Sequence, residues 1–309
     1  MLSFLPGPVR GALTLLIIGL STLVCILVLY TIAALKLLLP FNGARRIFNP
    51  ILTRTAGVWV SLNNCLFPLM HRMRWDINGV ENLRRDRWYL VCCNHQSGAD
   101  IPVLQKVFHR RIPFIRFFIK RQLLWMPFLG LAWKILDYPF VNRHSQEYLQ
   151  RHPHRREEDL ATIRKACARF KDAPTSILNF AEGTRLTRVK QIEQGSPYLH
   201  LLRPKAGGMA LALASMGEMF SAILDVTILY PHRVPRLWDL LCGRVERVVV
   251  HVRHRPVPGE FLSGDYAGDP QFRERFKKWL NELWRQKDDL MGVILDDEKK
   301  RTRGGENHA

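Results

Sequence analysis

Acidic residues are scarce in this chain of 309 residues. Aspartate and glutamate number 27 against 46 lysines and arginines, a formal net charge of +19. Such an excess indicates a polyanionic partner, namely nucleic acid, an anionic membrane surface or a phosphorylated substrate, with a merely soluble basic surface as the alternative. Intrinsic disorder is not expected, because 47% of the residues are hydrophobic.

Cysteine is also scarce, and its spacing offers no metal site. None of the six cysteines forms a C-x-x-C pair, so the usual zinc spacings are missing. Cys92 and Cys93 are adjacent on a predicted strand, where their side chains would point to opposite faces. We predict six reduced thiols in a reducing compartment. No internal repeat stands out.

Charge is missing altogether from residues 11–35. As a helix this stretch would extend about 37 Å, enough to cross a hydrocarbon core of about 30 Å. A signal peptide is the competing interpretation, but Lys36 and an apolar run follow instead of a small-residue cleavage site. An uncleaved anchor is therefore predicted. Arg10 alone precedes it, whereas six basic residues follow by position 74, which predicts a cytoplasmic body.

A second apolar stretch, residues 56–70, is too short and too polar to predict a span. It would lie in the membrane interface or pack against the first helix. One span and a two-helix hairpin both remain open. The N-terminal membrane region is predicted at 1–75, followed by a catalytic domain at 76–297 and a disordered charged tail at 298–309.

The body alternates predicted strands with predicted helices, which indicates an α/β fold. An apolar stripe over 271–286 predicts a helix face packed on the core. The segment 231–247 mixes arginines with Trp238 and is either a headgroup-contacting surface or an ordinary loop with a buried tryptophan. The predicted strands are 87–93, 112–120, 176–180, 222–230 and 247–254, and the predicted helices begin near Ala99 or span 157–171 and 207–217.

His95 stands just after the first of these strands, in a polar turn that contains Gly98. Loops at the carboxyl ends of strands are where α/β folds place reactive groups. A histidine there can act as a general base, and Asp100 can accept its other N–H and fix the tautomer. No serine or cysteine nucleophile is obvious beside the pair. The nucleophile is therefore predicted to be a substrate hydroxyl.

Two further stretches carry cations. In "NFAEGTR" (179–185), Arg185 follows Gly183 on a turn and is suited to bidentate phosphate binding, although a solvated strand-end turn is the alternative. Lys120 begins a K-x₂-L-x₆-G pattern, and Arg143 follows twelve residues after Gly130. These two cations either converge on one phosphate or are separate surface charges.

Taken in order, the three stretches resemble the PlsC-like 1-acylglycerol-3-phosphate acyltransferases. Their patterns are N-H-x₄-D at 94–100, K-x₂-L-x₆-G-x₁₂-R at 120–143 and F-x-E-G-T-R at 180–185. The strand "VTILYP" (226–231) is similar to the family's fourth block. The resemblance covers roughly residues 80–255. The long basic stretch between the third and fourth blocks resembles the enterobacterial YihG-type branch.

The resemblance implies a fold, a reaction and a set of site residues. The fold is the glycerolipid acyltransferase fold, a mostly parallel sheet wrapped by helices with an N-terminal two-helix membrane motif. The reaction moves an acyl group from acyl-CoA or acyl carrier protein to the sn-2 hydroxyl of 1-acyl-glycerol-3-phosphate, with no cofactor and no metal, at the cytoplasmic face of the cell inner membrane. The base is His95, its orienter is Asp100, and the acceptor pocket contains Glu182, Gly183, Thr184 and Arg185 with Lys120 and Arg143.

One departure from the family pattern concerns the acceptor. The third motif usually has proline before the glutamate, and Ala181 stands there instead, which leaves the turn freer. Lysophosphatidylglycerol or lysocardiolipin is therefore an alternative acceptor. A membrane-tethered nucleic-acid-binding protein is a remote alternative, because the basic residues follow no recognised binding motif. A metal hydrolase built on His152 and His154 lacks a third ligand at a sensible spacing.

Overall fold

A six-stranded sheet forms the centre of the computed structural model, which describes residues 4–39, 43–70, 72–141, 161, 167–170, 173–262, 264–266 and 268–306. The strand order is β1-β8-β7-β2-β6-β3, and every neighbouring pair is parallel except β7 with β8. A two-stranded parallel pair, β4 with β5, lies apart from it. The predicted mostly parallel sheet is confirmed. The strands are β1 (Arg74–Asn78), β2 (Trp88–Cys93), β3 (Ile115–Phe117), β4 (Ile119–Lys120), β5 (Phe140–Val141), β6 (Ser176–Phe180), β7 (Phe220–Leu229) and β8 (Arg247–Arg255).

Helices cover both faces of the sheet and form an N-terminal pair. The central strand β2 is apolar on both faces, as expected of a parallel strand between helical layers. Leu90 and Cys92 join one core cluster, whereas Val91 and Cys93 join the other, so the predicted opposite orientation of the two cysteines is confirmed. The described helices are α1 (Gly7–Leu38), α2 (Ala44–Met70), α3 (Asp100–Phe108), α4 (Leu129–Ile135), α5 (Arg188–Glu193), α6 (Ala206–Met216), α7 (Leu237–Leu241) and α8 (Pro270–Glu306).

Most predicted elements are present, with differences at the sheet edges. Strand β1 was not predicted, because its five residues are polar enough to be half exposed at the edge of the sheet. The predicted strand 112–120 is divided into β3 and β4. The helices predicted near Ala99 and over 207–217 correspond to α3 and α6. The predicted helix 157–171 and the pair His152 and His154 lie largely or wholly outside the described residues.

Helix α8 buries the predicted apolar stripe and continues further than predicted. The stripe residues are all buried in one core cluster: Phe272, Phe276, Leu280, Leu283 and Trp284. The expectation of a disordered tail from Glu298 is wrong for residues 298–306, which continue the helix. Glu298 itself is held by an ion pair across the sheet edge, where Arg247 of β8 donates to it.

Helices α1 and α2 pack against each other, as one of the two interpretations of the second apolar stretch predicted. Trp59 Nε1 donates to Thr22 Oγ1 at 3.0 Å, and Leu52 and Ala56 of α2 share a buried cluster with Ile26 and Leu29 of α1. In the part of the chain that the structure describes, α1 alone is long and apolar enough to cross a membrane. The two helices therefore form one N-terminal unit.

The sheet topology brings the sequence motifs together. Strands β7, β2, β6 and β3 are neighbours and run parallel, so their carboxyl ends meet along one border, here called the carboxyl edge. The fourth, first, third and second motifs follow these strands in that spatial order. Ligands in open α/β sheets bind at such an edge.

Candidate active site

Strand β2 places His95 at the carboxyl edge through the residue before it. The side chain of Asn94 continues the sheet beyond Cys93, because its Nδ2 donates to Ile228 O at 2.9 Å and its Oδ1 accepts from Ile228 N at 2.8 Å. A side chain thus replaces the backbone pairing between β2 and β7. The chain can then turn away from the sheet at His95 without leaving buried backbone groups unpaired.

Asp100 begins helix α3 and holds the imidazole of His95. Its Oδ2 lies 2.8 Å from His95 Nδ1 and accepts the backbone N–H groups of Gln96 at 2.7 Å and Ser97 at 2.9 Å. Its Oδ1 accepts the hydroxyl of Tyr230 at 2.8 Å. The carboxylate is fully buried and has all these partners. It fixes the ring so that Nε2, the nitrogen away from Asp100, is the one available to act as a base.

The imidazole of His95 is stacked on one aromatic ring but remains accessible. Phe180, the last residue of β6, stacks on it with ring centroids 4.0 Å apart and an interplanar angle of 17°. The side chain retains 17% exposure. The carbonyl of His95 also accepts Leu186 N at 2.8 Å, which ties the first motif to the segment just after the third.

Arg185 lies beside the His95 turn. A β-carbon on Gly98 would stand 3.6 Å from Arg185 Nη1 and 3.6 Å from Leu237 Cβ. The turn that carries Arg185 depends on Gly183, whose φ of +70° is the left-handed conformation that favours glycine. The structure therefore brings the predicted base and the predicted phosphate-binding guanidinium to neighbouring turns of the carboxyl edge.

Two lysines that the sequence patterns did not indicate lie close to Arg185 and its turn. Lys190 Nζ donates to Thr184 Oγ1 at 2.7 Å and to Arg185 O at 3.3 Å. Lys205 packs against Gly183, with its Cδ 3.2 Å from where a β-carbon would stand. Both lie more than four residues from the motif, so only the folding of residues 186–205 back onto the turn reveals them. They add positive charge where an anionic headgroup would bind.

Glu182 is enclosed within the fold, and its predicted place in the acceptor pocket stays a prediction. Its side chain is fully buried, and neither carboxyl oxygen has a hydrogen bond of normal geometry among the described residues. Burial raises the pKa of Glu182 to about 8, because water no longer solvates the charged form; the backbone N–H groups of His95 and Leu202 oppose this rise without offsetting it. The carboxyl group is therefore protonated at neutral pH in the folded protein.

The second motif lies at the same edge but further from His95. Lys120 is exposed at the end of β4, which follows the edge strand β3. Gly130 is required by packing, since a β-carbon there would stand 2.0 Å from Leu124 O. Arg143 lies outside the described residues, so its convergence with Lys120 stays a prediction.

The segment 231–247 packs against helix α1. It contains α7, whose Trp238 is 40% exposed while its ring touches Gly11. Neither earlier interpretation describes it fully, because the tryptophan is half-buried against the N-terminal helix. Ser97 Oγ donates to Pro235 O at 2.5 Å and links this segment to the His95 turn.

Sequence reasoning also missed two further site residues, Tyr230 and Phe180. Tyr230 lies within the fourth block, where the pattern drew attention to the strand and proline and not to the hydroxyl. Phe180 lies within the third motif, where the sequence analysis gave its ring no role. Both become site residues only when β2 stands between β6 and β7.

Known proteins resemble this chain over its central part. A family model described as Acyltransferase matches residues 74–231, just over half of the chain. Human 1-acyl-sn-glycerol-3-phosphate acyltransferase gamma is 27% identical over 186 residues, which cover 56% of this chain and 44% of that protein. Mouse lysocardiolipin acyltransferase 1 is 23% identical over 263 residues, covering 81% of this chain and 65% of that protein.

One similar solved structure is the 1-acyl-sn-glycerophosphate acyltransferase PlsC from Thermotoga maritima. It is 18% identical to this chain, with a TM-score of 0.49, and the match covers 90% of this chain and 97% of that one. The chain spans less than half of the length of the gamma relatives that it matches. The match of the family model to residues 74–231 contains the His95–Asp100 pair, the Arg185 turn and Tyr230. On this match, the chain belongs to the acyltransferase family.

Proposed function

We propose that this chain is a membrane-bound O-acyltransferase that makes phosphatidate from 1-acyl-glycerol-3-phosphate. The acyl donor is a thioester, acyl-CoA or acyl carrier protein, and the acceptor is the sn-2 hydroxyl. The observation that carries the proposal is the pairing of His95 with Asp100 at 2.8 Å beside the guanidinium of Arg185. A base and an anion-binding group on neighbouring turns suit a substrate with a hydroxyl and a phosphate close together.

In the proposed mechanism His95 removes one proton and then returns it, and no covalent enzyme intermediate forms. His95 Nε2 removes the proton of the hydroxyl as its oxygen attacks the thioester carbon, and Asp100 stabilises the imidazolium that forms. The C–O bond forms, the C–S bond breaks, and the imidazolium returns the proton to the leaving thiolate. Arg185 and Lys190 hold the phosphate and fix the hydroxyl in attack geometry.

The acceptor is tested by lipid-product analysis of purified protein in defined vesicles. Each of 1-acyl-glycerol-3-phosphate, lysophosphatidylglycerol and lysocardiolipin is offered with each thioester donor. We expect labelled phosphatidate to be the main product, and we expect its loss with His95→Ala, because removal of a general base typically costs 10²-fold or more. His254→Ala, an exposed histidine on β8, is the matched control. Wild-type product levels from His95→Ala would refute the assignment.

A second acceptor has one observation in its favour. Mouse lysocardiolipin acyltransferase 1 aligns with 81% of this chain, against 56% for the human gamma protein. Together with Ala181 in place of the usual proline, this supports lysocardiolipin as the alternative acceptor. If lysocardiolipin is turned over faster than 1-acyl-glycerol-3-phosphate in the same vesicles, lysocardiolipin becomes the proposed acceptor.

The proposed location is the cytoplasmic face of the cell inner membrane. The support is the apolar helix α1 and the excess of basic residues over acidic ones, which favours the anionic cytoplasmic leaflet. Both acyl-bearing substrates reside in or reach that surface. Assignment to the YihG-type branch has no further support and stays a prediction.

A further inference from the structure

Helix α1 contacts the catalytic body at two widely separated places. Near its beginning, a β-carbon on Gly11 would stand 2.6 Å from Cys242 Sγ and 3.0 Å from the ring of Trp238, which shows how closely α1 approaches the segment around α7. Further along, the Tyr30 hydroxyl donates to Phe128 O at 2.6 Å, just before α4. At 1.5 Å rise per residue, these contacts lie about 28 Å apart.

That separation is close to the thickness of the hydrocarbon core, about 30 Å. If α1 crossed the bilayer, the charged body beside it would be carried into the hydrocarbon, where ionised groups are costly. The contacts therefore favour α1 lying along the body and within one leaflet, unlike the crossing anchor expected from its length. Its exposed side, which includes Leu16, Leu20 and Leu27, is then the side that meets lipid.

A second apolar surface lies directly beside α1. Residues 121–131, here called the Trp125 loop, expose Trp125 by 86% and Phe128 by 66%. Phe128 sits in a three-residue turn with a φ of +61°, and Leu129 N donates to Pro127 O at 2.7 Å, a strained turn that presents the side chain outward. The other large apolar side chains exposed on this loop are Leu123, Met126 and Leu131.

The chemistry of the Trp125 loop suits a lipid bilayer. Five exposed large apolar residues within nine positions are unusual on a soluble surface and mark an interaction site. Tryptophan favours the membrane–water interface, and the exposed Lys120, Arg121 and Lys134 flank the loop, where they can reach anionic headgroups. The loop also continues the exposed apolar side of α1 through the Tyr30–Phe128 hydrogen bond.

We propose that the Trp125 loop inserts its apolar side chains into the same leaflet as α1. This inference rests on the membrane association within the proposed function. The loop follows β3 and β4 at one end of the carboxyl edge, and α7, which contacts α1, follows β7 at the other. His95 and Arg185 follow the two strands between them, β2 and β6. The two membrane contacts thus hold the site mouth at the lipid surface, where an acceptor enters without crossing water.

Depth measurements test the proposal without using activity. A nitroxide is attached at Trp125→Cys, or at the matched control Val293→Cys on α8, which is 60% exposed. Cys65, which is exposed, and the half-buried Cys25 are first changed to serine. In vesicles of phosphatidylglycerol and phosphatidylcholine, we expect the label at 125 to collide with oxygen more than with a water-soluble nickel chelate. The label at 293 should show the reverse preference.

Free access of the nickel chelate to position 125 in vesicles would overturn the proposal. So would protection of the label by an acidic acyl carrier protein and not by vesicles, because the loop would then bind that protein. Neither result depends on the acceptor or on acyl transfer. Failure of the insertion and failure of the proposed reaction are therefore distinguishable.

A kinetic test uses Trp125→Gln combined with Phe128→Asn, since asparagine tolerates positive φ better than most residues. We expect turnover of a vesicle-embedded lysolipid to fall by about tenfold, from weaker partitioning of two large apolar side chains. Turnover of a short-chain, water-soluble lysolipid should stay at the wild-type level. Val293→Gln controls for the loss of an exposed apolar side chain. Equal losses on both substrates would overturn the proposal.

Discussion

At the residue scale, Tyr230 contributes to the site indirectly, through the hydrogen bond that its hydroxyl donates to Asp100. Tyr230 is 3% exposed, and its pKa is raised well above the usual value by burial and by the neighbouring Asp100 carboxylate. It therefore stays protonated and donates to Asp100 at all ordinary pH values. Tyr230 is a positioning residue, because it acts on His95 only through Asp100.

Tyr230→Phe removes that donor and leaves Asp100 Oδ1 buried without it, at a cost of about 1–3 kcal/mol. We expect kcat to fall about tenfold while KM stays near the wild-type value, because His95 is held less well and acceptor binding is untouched. Steady-state kinetics and a thermal melt check this. Tyr198→Phe, whose hydroxyl bonds to Asn281 far along the chain, is the matched control. A similar loss of kcat in that control would argue against a specific role.

Glu182 predicts an unusual dependence of stability on pH. Its folded pKa of about 8 lies above the ordinary value of 4.5, so the folded state binds more protons than the unfolded state between these values. The free energy of unfolding should therefore fall as pH rises from about 5 to 8, by on the order of a few kcal/mol. Glu182→Gln, which cannot ionise, should lose this dependence. Urea unfolding of both proteins across that range measures it, and parallel curves would contradict the assignment.

At the element scale, the contact between α1 and the α7 segment depends on a small residue. A side chain at Gly11 would collide with Cys242 and Trp238, whereas Gly19 on the same helix has no neighbouring atom within 4 Å. Gly11→Leu should destabilise the docking of α1 by about 1–3 kcal/mol. Gly19→Leu should leave it unchanged or improve helix propensity.

The two variants are compared by limited proteolysis between α1 and the catalytic body. We expect Gly11→Leu to be cleaved faster and to lose acyl transfer on vesicles, because the body is no longer held along α1. Gly19→Leu should behave as the wild type. Equal behaviour of the two variants would mean that the close approach at Gly11 is not needed for docking.

Strand pairing also explains which elements sequence patterns missed. The buried strands β2 and β7 are continuous apolar runs, which are visible in a sequence. The edge strand β1 has few apolar residues, yet it pairs with β8 from Arg74 to Asn78. Its extended conformation is imposed by a partner more than 170 residues away, and no local pattern contains that partner.

At the scale of the whole molecule, the C-terminal helix supports the strands that carry the site. Lys287 of α8 is 1% exposed and donates to Asp225 of β7 and to Val226 O, and Arg255 of β8 also binds Asp225. Asp225 is paired in register with Cys92, three residues before His95. A buried charge cluster of this kind disfavours alternative packings of the helix, because an unpaired charge would be left inside.

The distribution of charge over the whole chain fits the same arrangement. Acidic side chains are few, and several are used internally, at Asp100, Asp225 and Glu298. The net positive charge is therefore left to the surface, where it favours anionic lipids and phosphorylated substrates. The remote alternative of nucleic-acid binding receives no support from the acyltransferase family match.

The sequence by itself determined the features that local spacing controls. These are the apolar helix α1, the buried parallel strands, and the five-residue separation that lets His95 reach Asp100 across one turn into α3. Order and spacing of three motifs sufficed to indicate the family. Each depends on residues close in the chain, so pattern and periodicity contain the necessary information.

Only the tertiary structure decided what lies around these features. Tyr230 reaches Asp100 from 130 residues away, Glu182 is enclosed, and α8 continues past Glu298, which pairs with Arg247 of β8. The contacts at Gly11 and Tyr30 likewise show that α1, a helix long enough to cross a membrane, packs along the body. Burial and partnership depend on what distant segments bring to the same place, and a linear pattern does not contain that information.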